Sequence, residues 1–297
     1  MTAGAAPEPP VPSVAIAGLG LIGGSLARDL TAAGWRVLGF DRNHATARRA
    51  HEAAAIAVGL DPEEPALDRV PLVVLAVPVD AAASALRAML PWLPADAVVT
   101  DTGSTKVGIA AAADQLGLAD RFVGAHPMAG DHRSGWEASR PGLFRGARVW
   151  ICAGNARPAA VELVRRMWSA AGGHPDLIEA TDHDRLLAWT SHLPQAVASA
   201  LAATLRQAAV PPDVVGPGGR DTTRLAASDP DVWTGIAMEN AGNLADALDA
   251  LSARTHRLRD ALRNGDRAAV RAFFVEARAW ANEGSGPSVG PFSPPSP

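Results

Sequence analysis

Residues 14–41 read VAIAGLGLIGGSLARDLTAAGWRVLGFD. A short apolar run, Val14–Ala17, leads directly into Gly18-Leu-Gly20-Leu-Ile-Gly23, and a helical stretch follows. This is G-x-G-x-x-G set between a strand and a helix, the arrangement that cradles a dinucleotide pyrophosphate. Gly18 permits the tight turn, Gly20 lets the pyrophosphate approach the backbone, and Gly23 lets the helix pack close to the strand. The first-turn N–H groups, at Leu21 and Ile22, then face the phosphates, and the helix dipole adds to the attraction. The next strand, WRVLGF, ends at Asp41, 18 residues after Gly23. An acid there hydrogen-bonds the adenosine ribose and repels a 2′-phosphate, so the expected cofactor is NAD. The neighbouring Arg42 softens that preference and leaves room for NADP. A glycine-rich turn without a ligand is the bland alternative; strand, helix, second strand and acid all falling in place argue against it.

Beyond this unit, β-branched runs alternate with Ala-rich helical stretches as far as about Ile178: PLVVLAV, AVVTD, RFVGA and ARVWIC. Alternation of this kind predicts an α/β fold, a Rossmann-type, doubly wound and mainly parallel sheet. The strands are apolar on both faces, as buried parallel strands are. Val77 and Pro78, at the end of the LAVPVD strand, fall on the expected cofactor edge. From about Thr181 the period changes to three and four, which predicts an all-helical carboxyl-terminal domain. The expected boundaries are a disordered tail 1–12, the dinucleotide-binding domain 13–180, a helical substrate and dimerisation domain 181–282, and a second disordered tail 283–297. The tails are rich in Pro, Gly, Ala and Ser and have little apolar side chain to offset ordering entropy.

Composition narrows the function classes. Charged residues are 20% and the formal net charge is −4, without the basic face that nucleic acid demands. No apolar run approaches the roughly 20 residues needed to span a bilayer, and the first dozen residues have no signal-peptide pattern. Cys152 is the only cysteine, so no intrachain disulfide forms, which fits a cytoplasmic protein. The eight histidines show no metal-ligand spacing, so no metal is expected. The short tails are expected to hold no further domain.

Three further clusters carry chemistry. Asp101-Thr-Gly-Ser-Thr-Lys106 follows the strand AVVT, and Gly124-Ala-His-Pro-Met-Ala-Gly130 follows RFVG. Both lie at carboxyl ends of parallel strands, where open α/β sheets bind ligands. Gly218-Gly-Arg-Asp-Thr-Thr-Arg224 is expected as a loop between helices of the second domain.

With GLGLIGGSLA, DTGSTK, HPMAG followed by Ser134-Gly135, HDRLLAWTSHLP and RDTTRLAASDPDVW, the chain resembles the prephenate/arogenate dehydrogenase family of tyrosine biosynthesis. The resemblance runs from Val14 to Ala281, and HPMAG and RDTTR are more diagnostic than the glycine loop. It implies NAD-dependent oxidative decarboxylation of prephenate to 4-hydroxyphenylpyruvate, or of arogenate, in a homodimer joined through the helical domain. His126 matches the family's catalytic histidine, whose ordinary pKa of about 6.5 suits a base near neutrality. Ser104 matches a serine that hydrogen-bonds the reacting hydroxyl; capping the following helix is its structural alternative. Arg224 matches the arginine that holds a substrate carboxylate, a task for a planar, always-charged donor. Asp221 and Thr223 shape its loop, and Trp233 packs.

His183 and His192 match histidines lining the substrate pocket. Nine residues apart, they face opposite sides of an ideal helix, so one reaches a different shell unless the turn near Pro194 is distorted. Several relatives carry a histidine after S-H-L-P where this chain has Gln195. Gln195 is expected to face the substrate side chain, and it brings no acid to pair with the ammonium of arogenate, which favours prephenate. Two rivals stand beside this reading. Another NAD(P)-dependent dehydrogenase with a helical second domain is expected to place a lysine on the first long helix, and residues 190–195 have none. A non-catalytic NAD-binding protein has no need of both His126 and Arg224.

Overall fold

The computed structural model describes residues 11–131 and 133–283; the disorder expected of 1–10 and 284–297 lies outside them. Eight strands form one sheet: β1 (Ser13–Ala17), β2 (Arg36–Phe40), β3 (Val58–Gly59), β4 (Leu72–Leu75), β5 (Val98–Asp101), β6 (Phe122–Pro127), β7 (Arg148–Cys152) and β8 (His174–Leu177). Their order is β3-β2-β1-β4-β5-β6-β7-β8. β1 to β6 are mutually parallel, β7 is antiparallel to β6, and β8 is parallel to β7. The reversal of strand order at β1 and β4 creates the crevice in which such sheets bind ligands.

Eleven helices are described: α1 (Leu21–Ala32), α2 (His44–Glu52), α3 (Val79–Met89), α4 (Val107–Gln115), α5 (Pro158–Ala170), α6 (Ala180–Leu187), α7 (Leu193–Gln207), α8 (Pro217–Thr223), α9 (Pro230–Glu239), α10 (Ala241–Arg263) and α11 (Arg267–Asn282). The two-residue alternation of β1 explains why its run reads as continuously apolar. Val14 and Ile16 join Leu26 and Leu30 of α1 and Val164 and Trp168 of α5 on one face. Ala15 and Ala17 join Leu86 and Met89 of α3 and Ile109 of α4 on the other. Both faces are therefore core.

The pairing Ala17↔Phe40, Ala17↔Leu75 and Leu75↔Asp101 aligns the carboxyl ends of β2, β1, β4 and β5 in one row. β6 pairs with β5 at Thr100↔Val123 and runs on past its end, carrying His126 beyond the row.

A buried ion pair ties these two strand ends together. Lys106, with no exposed surface, donates from Nζ to Oδ2 of Asp101 and to the Ala125 carbonyl at 2.9 Å. Asp101 also accepts the N–H groups of Gly103 at 2.9 Å and Ala125 at 3.0 Å. Gly124 makes the room: a Cβ there would sit 3.2 Å from Lys106 Cδ.

Contacts divide the chain into two units, one of residues up to 183 with 227–239, the other of 184–226 with 240 onward. The boundary expected at 180/181 thus acquires an excursion. α9 belongs with the sheet because it packs on α3, where Gly235 admits Asp80; a Cβ on Gly235 would lie 3.3 Å from that carboxyl carbon. Within the second unit, a π-helical turn at Ala188–His192 joins α6 to α7, and α10 packs against that turn. The segment expected as a loop is helical, 218–223 in α8 and Arg224 in the 3-10 turn that follows: Pro217 starts the helix, and Thr222 and Thr223 return hydrogen bonds to the Gly218 and Gly219 carbonyls at 2.8 Å. No helix among the described residues is long and apolar enough to cross a membrane.

Removing one partner of a buried ion pair leaves an uncompensated charge and costs about 3–5 kcal/mol. Lys106→Ala is therefore expected to lower the thermal midpoint by on the order of 10 °C, read by circular dichroism. An unchanged midpoint would show that the pair is not a structural clamp.

Candidate active site

The glycine loop is sterically determined. Gly18 has φ of 90°, and a Cβ there would meet the Ala76 carbonyl oxygen at 2.4 Å. A Cβ on Gly23 would come within 1.9 Å of the Gly18 carbonyl oxygen, so α1 packs this close to the turn only without one. Gly20 is different: nothing lies within 4 Å of its Cβ position. The space is open toward the start of α1, where no side chain caps the helix and the first turn has no acid. Uncapped N–H groups beneath an open backbone fit a pyrophosphate. Asp41 accepts the Leu19 N–H on Oδ2 and the Asn43 N–H on Oδ1, each at 2.9 Å, so this carboxylate braces the loop from β2. Arg42 is exposed beside it.

A cleft of about 380 Å³ opens from this cradle. It brings together Gly20, Leu21, Ile22, Val77, Pro78, Ser104 and His126 along the strand ends, with Val232, Trp233 and Ile236 of α9 as another wall. Ser104 does not cap the next helix: α4 starts at Val107, with Lys106 in the capping position. His126 is 8% exposed, and its Nδ1 lies 2.9 Å from Nε2 of His183 with the rings edge to face. His183 has no exposed surface and is not among the residues lining the cleft.

Asp131 and Arg133 also line the cleft and were not singled out from the sequence. Their only signal is position, directly after HPMAG. Arg133 grips the Asp131 carboxylate from Nε at 3.3 Å and Nη2 at 3.0 Å, and Arg140 adds a bond at 2.9 Å. The Arg133 hydrogen bonds hold the Asp131 carboxyl well below the usual carboxylate range. Asp131 thus accepts two guanidiniums, and Asp229 lines the same cleft. The segment after it sits on α1: Arg140 N–H donates to Ser25 Oγ at 3.0 Å, Gly142 N–H to Asp29 at 2.7 Å, and Arg28 lies 4.2 Å over the Trp136 ring.

The remaining candidates belong to the second unit. His192, 2% exposed, accepts on Nδ1 from the Asn240 amide at 3.1 Å. The same amide nitrogen donates to the Asp184 carbonyl at 2.7 Å, and its oxygen accepts from Asn243, so the amide orientation is set and the His192 proton belongs on Nε2. Gln195, 5% exposed, donates to the Leu225 carbonyl at 2.9 Å and thereby holds the residue after Arg224. Arg224 itself is exposed at the end of α8. His183 and His192 thus meet different partners. Among the described residues no group of three or more His, Cys, Asp or Glu side chains is placed to hold a metal ion.

The fold and the cleft define a dinucleotide-binding domain with a histidine and a serine at its ligand edge. Residues 26–177 match the family described as "Prephenate dehydrogenase, nucleotide-binding domain", and residues 179–276 match "Prephenate dehydrogenase, dimerization domain". The chain belongs to the prephenate dehydrogenase family. It is 33% identical to a cyclohexadienyl dehydrogenase of Zymomonas mobilis over 89% of this chain and 93% of that one. It is 30% identical to a prephenate dehydrogenase of Bacillus subtilis over 90% of this chain and 75% of that one. The structure is similar to that of prephenate dehydrogenase from A. aeolicus in complex with hydroxyphenyl propionate and NAD+, with a TM-score of 0.83, 30% identity, and coverage of 93% of this chain and 99% of that one.

The two glycines make opposite demands. Gly20→Ala is expected to leave the thermal midpoint of the free protein unchanged while weakening NAD+ binding in calorimetry at least tenfold. Gly23→Ala is expected to lower the midpoint itself. Equal behaviour of the two variants would contradict the assignment of Gly20 to the ligand and Gly23 to packing.

Proposed function

We propose that this chain is an NAD+-dependent prephenate dehydrogenase, converting prephenate to 4-hydroxyphenylpyruvate and CO₂. The observation that carries the reading is the meeting of His126, Ser104 and the glycine cradle in one cleft. Gly20 and the amino end of α1, on the loop that Asp41 braces, would hold NAD+, which would supply the hydride acceptor for C4 of the ring. His126 takes the C4 hydroxyl proton on Nε2, since Nδ1 is directed at His183. Ser104 orients that hydroxyl from the β5 end. The hydride leaves C4 as the carbonyl forms, and the ring carboxylate departs as CO₂. Its electron pair completes the aromatic ring, and the phenolate oxygen recovers its proton from His126. Trp233 and Ile236 wall the cleft against water.

Prephenate carries two carboxylates. Arg224 is the arginine assigned to one of them. Gln195, committed to Leu225, brings no negative charge for an ammonium. A second reading, a cyclohexadienyl dehydrogenase that also accepts arogenate, draws support from the name of the Zymomonas relative. The functional unit is a homodimer: α10 and α11 expose Leu262 (60%), Phe274 (60%) and Trp280 (79%), apolar side chains that a partner subunit would cover.

With NAD+ and either substrate, absorbance of the reduced cofactor is expected to rise, faster for prephenate. No signal with either would sink the enzyme reading. His126→Asn is expected to lower kcat by roughly 10²–10⁴-fold with NAD+ binding retained; an unchanged kcat would remove His126 as the base. Phe274→Glu with Trp280→Glu is expected to halve the mass seen by light scattering, and a persisting dimer would place the interface elsewhere.

A further inference from the structure

We infer that His183 is a positioning residue for His126, holding the catalytic imidazole in the tautomer that leaves Nε2 basic. The inference rests on the assignment of His126 as base.

His126 Nδ1 and His183 Nε2 are 2.9 Å apart and share a single proton. A neutral imidazole has one donor nitrogen and one acceptor nitrogen. With the shared proton on His126, Nε2 carries a lone pair and can take the substrate hydroxyl proton. With it on His183, His126 accepts on Nδ1, its own proton sits on Nε2, and base chemistry is blocked. His183 must therefore be the acceptor. That requirement places the His183 proton on Nδ1.

The surroundings fit this role better than a substrate contact. His183 is fully buried and absent from the cleft lining, whereas His126 lines it. The two rings meet at 70°, centroids 5.1 Å apart, which directs a ring edge of one at the other. Each partner has a firm backbone: His126 follows Ala125, which the Asp101–Lys106 pair holds on both its N–H and its carbonyl, and the His183 N–H donates to the Glu179 carbonyl at 2.8 Å. Once His126 takes the proton, the bond to His183 gains an ionised donor and roughly doubles in strength. The interaction thus grows as the reaction proceeds, which is the condition for raising kcat rather than tightening substrate binding.

The test uses His183→Leu, which removes the acceptor, and His183→Gln, whose side-chain oxygen can replace Nε2. In the full chain with NAD+ and prephenate, His183→Leu is expected to lower kcat roughly 10- to 100-fold, the size of one hydrogen bond to a charged group, with both KM values within about threefold. His183→Gln is expected to restore most of that loss. Nitrogen-15 NMR of the wild type is expected to show His126 neutral with its proton on Nδ1. A His126 proton on Nε2, a raised prephenate KM with unchanged kcat, or a folded Gln variant no better than Leu would overturn the inference. If neither variant folds, the wild-type tautomer decides it. A wild type inactive on prephenate and arogenate would instead overturn the functional reading, and the tautomer would still decide the pairing.

Discussion

The buried ion pair of Asp101 with Lys106 is the constraint on which the cleft depends. Removing two such ions from water costs several kcal/mol each, and their attraction offsets that only when the remaining donors and acceptors are matched. Here they are matched locally. Asp101 receives Gly103 and Ala125 N–H groups as well as the ammonium, and the ammonium also reaches the Ala125 carbonyl. Every one of these atoms is next to a residue of the cleft. Ser104 lies between Gly103 and Lys106, and His126 follows Ala125. One clamp therefore sets the positions of the proposed base, in β6, and of the proposed hydroxyl partner, in the loop after β5.

A second linkage joins chemistry to cofactor. The loop after His126 rests on α1 through Ser25, Asp29 and Arg28, and α1 is the helix whose amino end forms the nucleotide cradle. Gly24 allows this seat, since a Cβ there would come within 2.9 Å of Trp136 and Ser139. Helix, loop and strand tip thus form one packed body, suited to hold a hydride acceptor and an acid–base pair in fixed relation.

The sequence carried the central sheet plainly, because buried parallel strands are written as unbroken apolar runs. All six runs read as strands are strands. β8 escaped notice because His174-Pro-Asp-Leu177 has none of that character; it is an edge strand, where a proline is tolerated. α8 was hidden by Pro-Gly-Gly, which reads as a turn unless the proline occupies the first helical position. The break at Asn240, between α9 and α10, lies inside a stretch of even helical periodicity; it coincides with the packing of α9 on α3 and with the buried hydrogen bonds of the Asn240 amide. Of the site, the glycine cradle, Ser104 and His126 were legible because motifs at strand ends converge on one edge. Lys106 was visible as a residue but not as a clamp, since no local pattern announces a buried lysine. The difference between His183 behind the base and His192 on Asn240 arises from tertiary contacts that helical spacing alone does not specify.

Oxidation at C4 by this chain requires substrate and cofactor to meet in the strand-end cleft. The most direct measurement is a crystal structure of the chain with NAD+ and 4-hydroxyphenylpyruvate bound. The expected result is the phenolic oxygen within hydrogen-bond distance of His126 Nε2 and Ser104 Oγ, with the pyrophosphate against Gly20 and the amino end of α1. Product bound elsewhere, or with its phenolic oxygen turned away from His126, would contradict the claim.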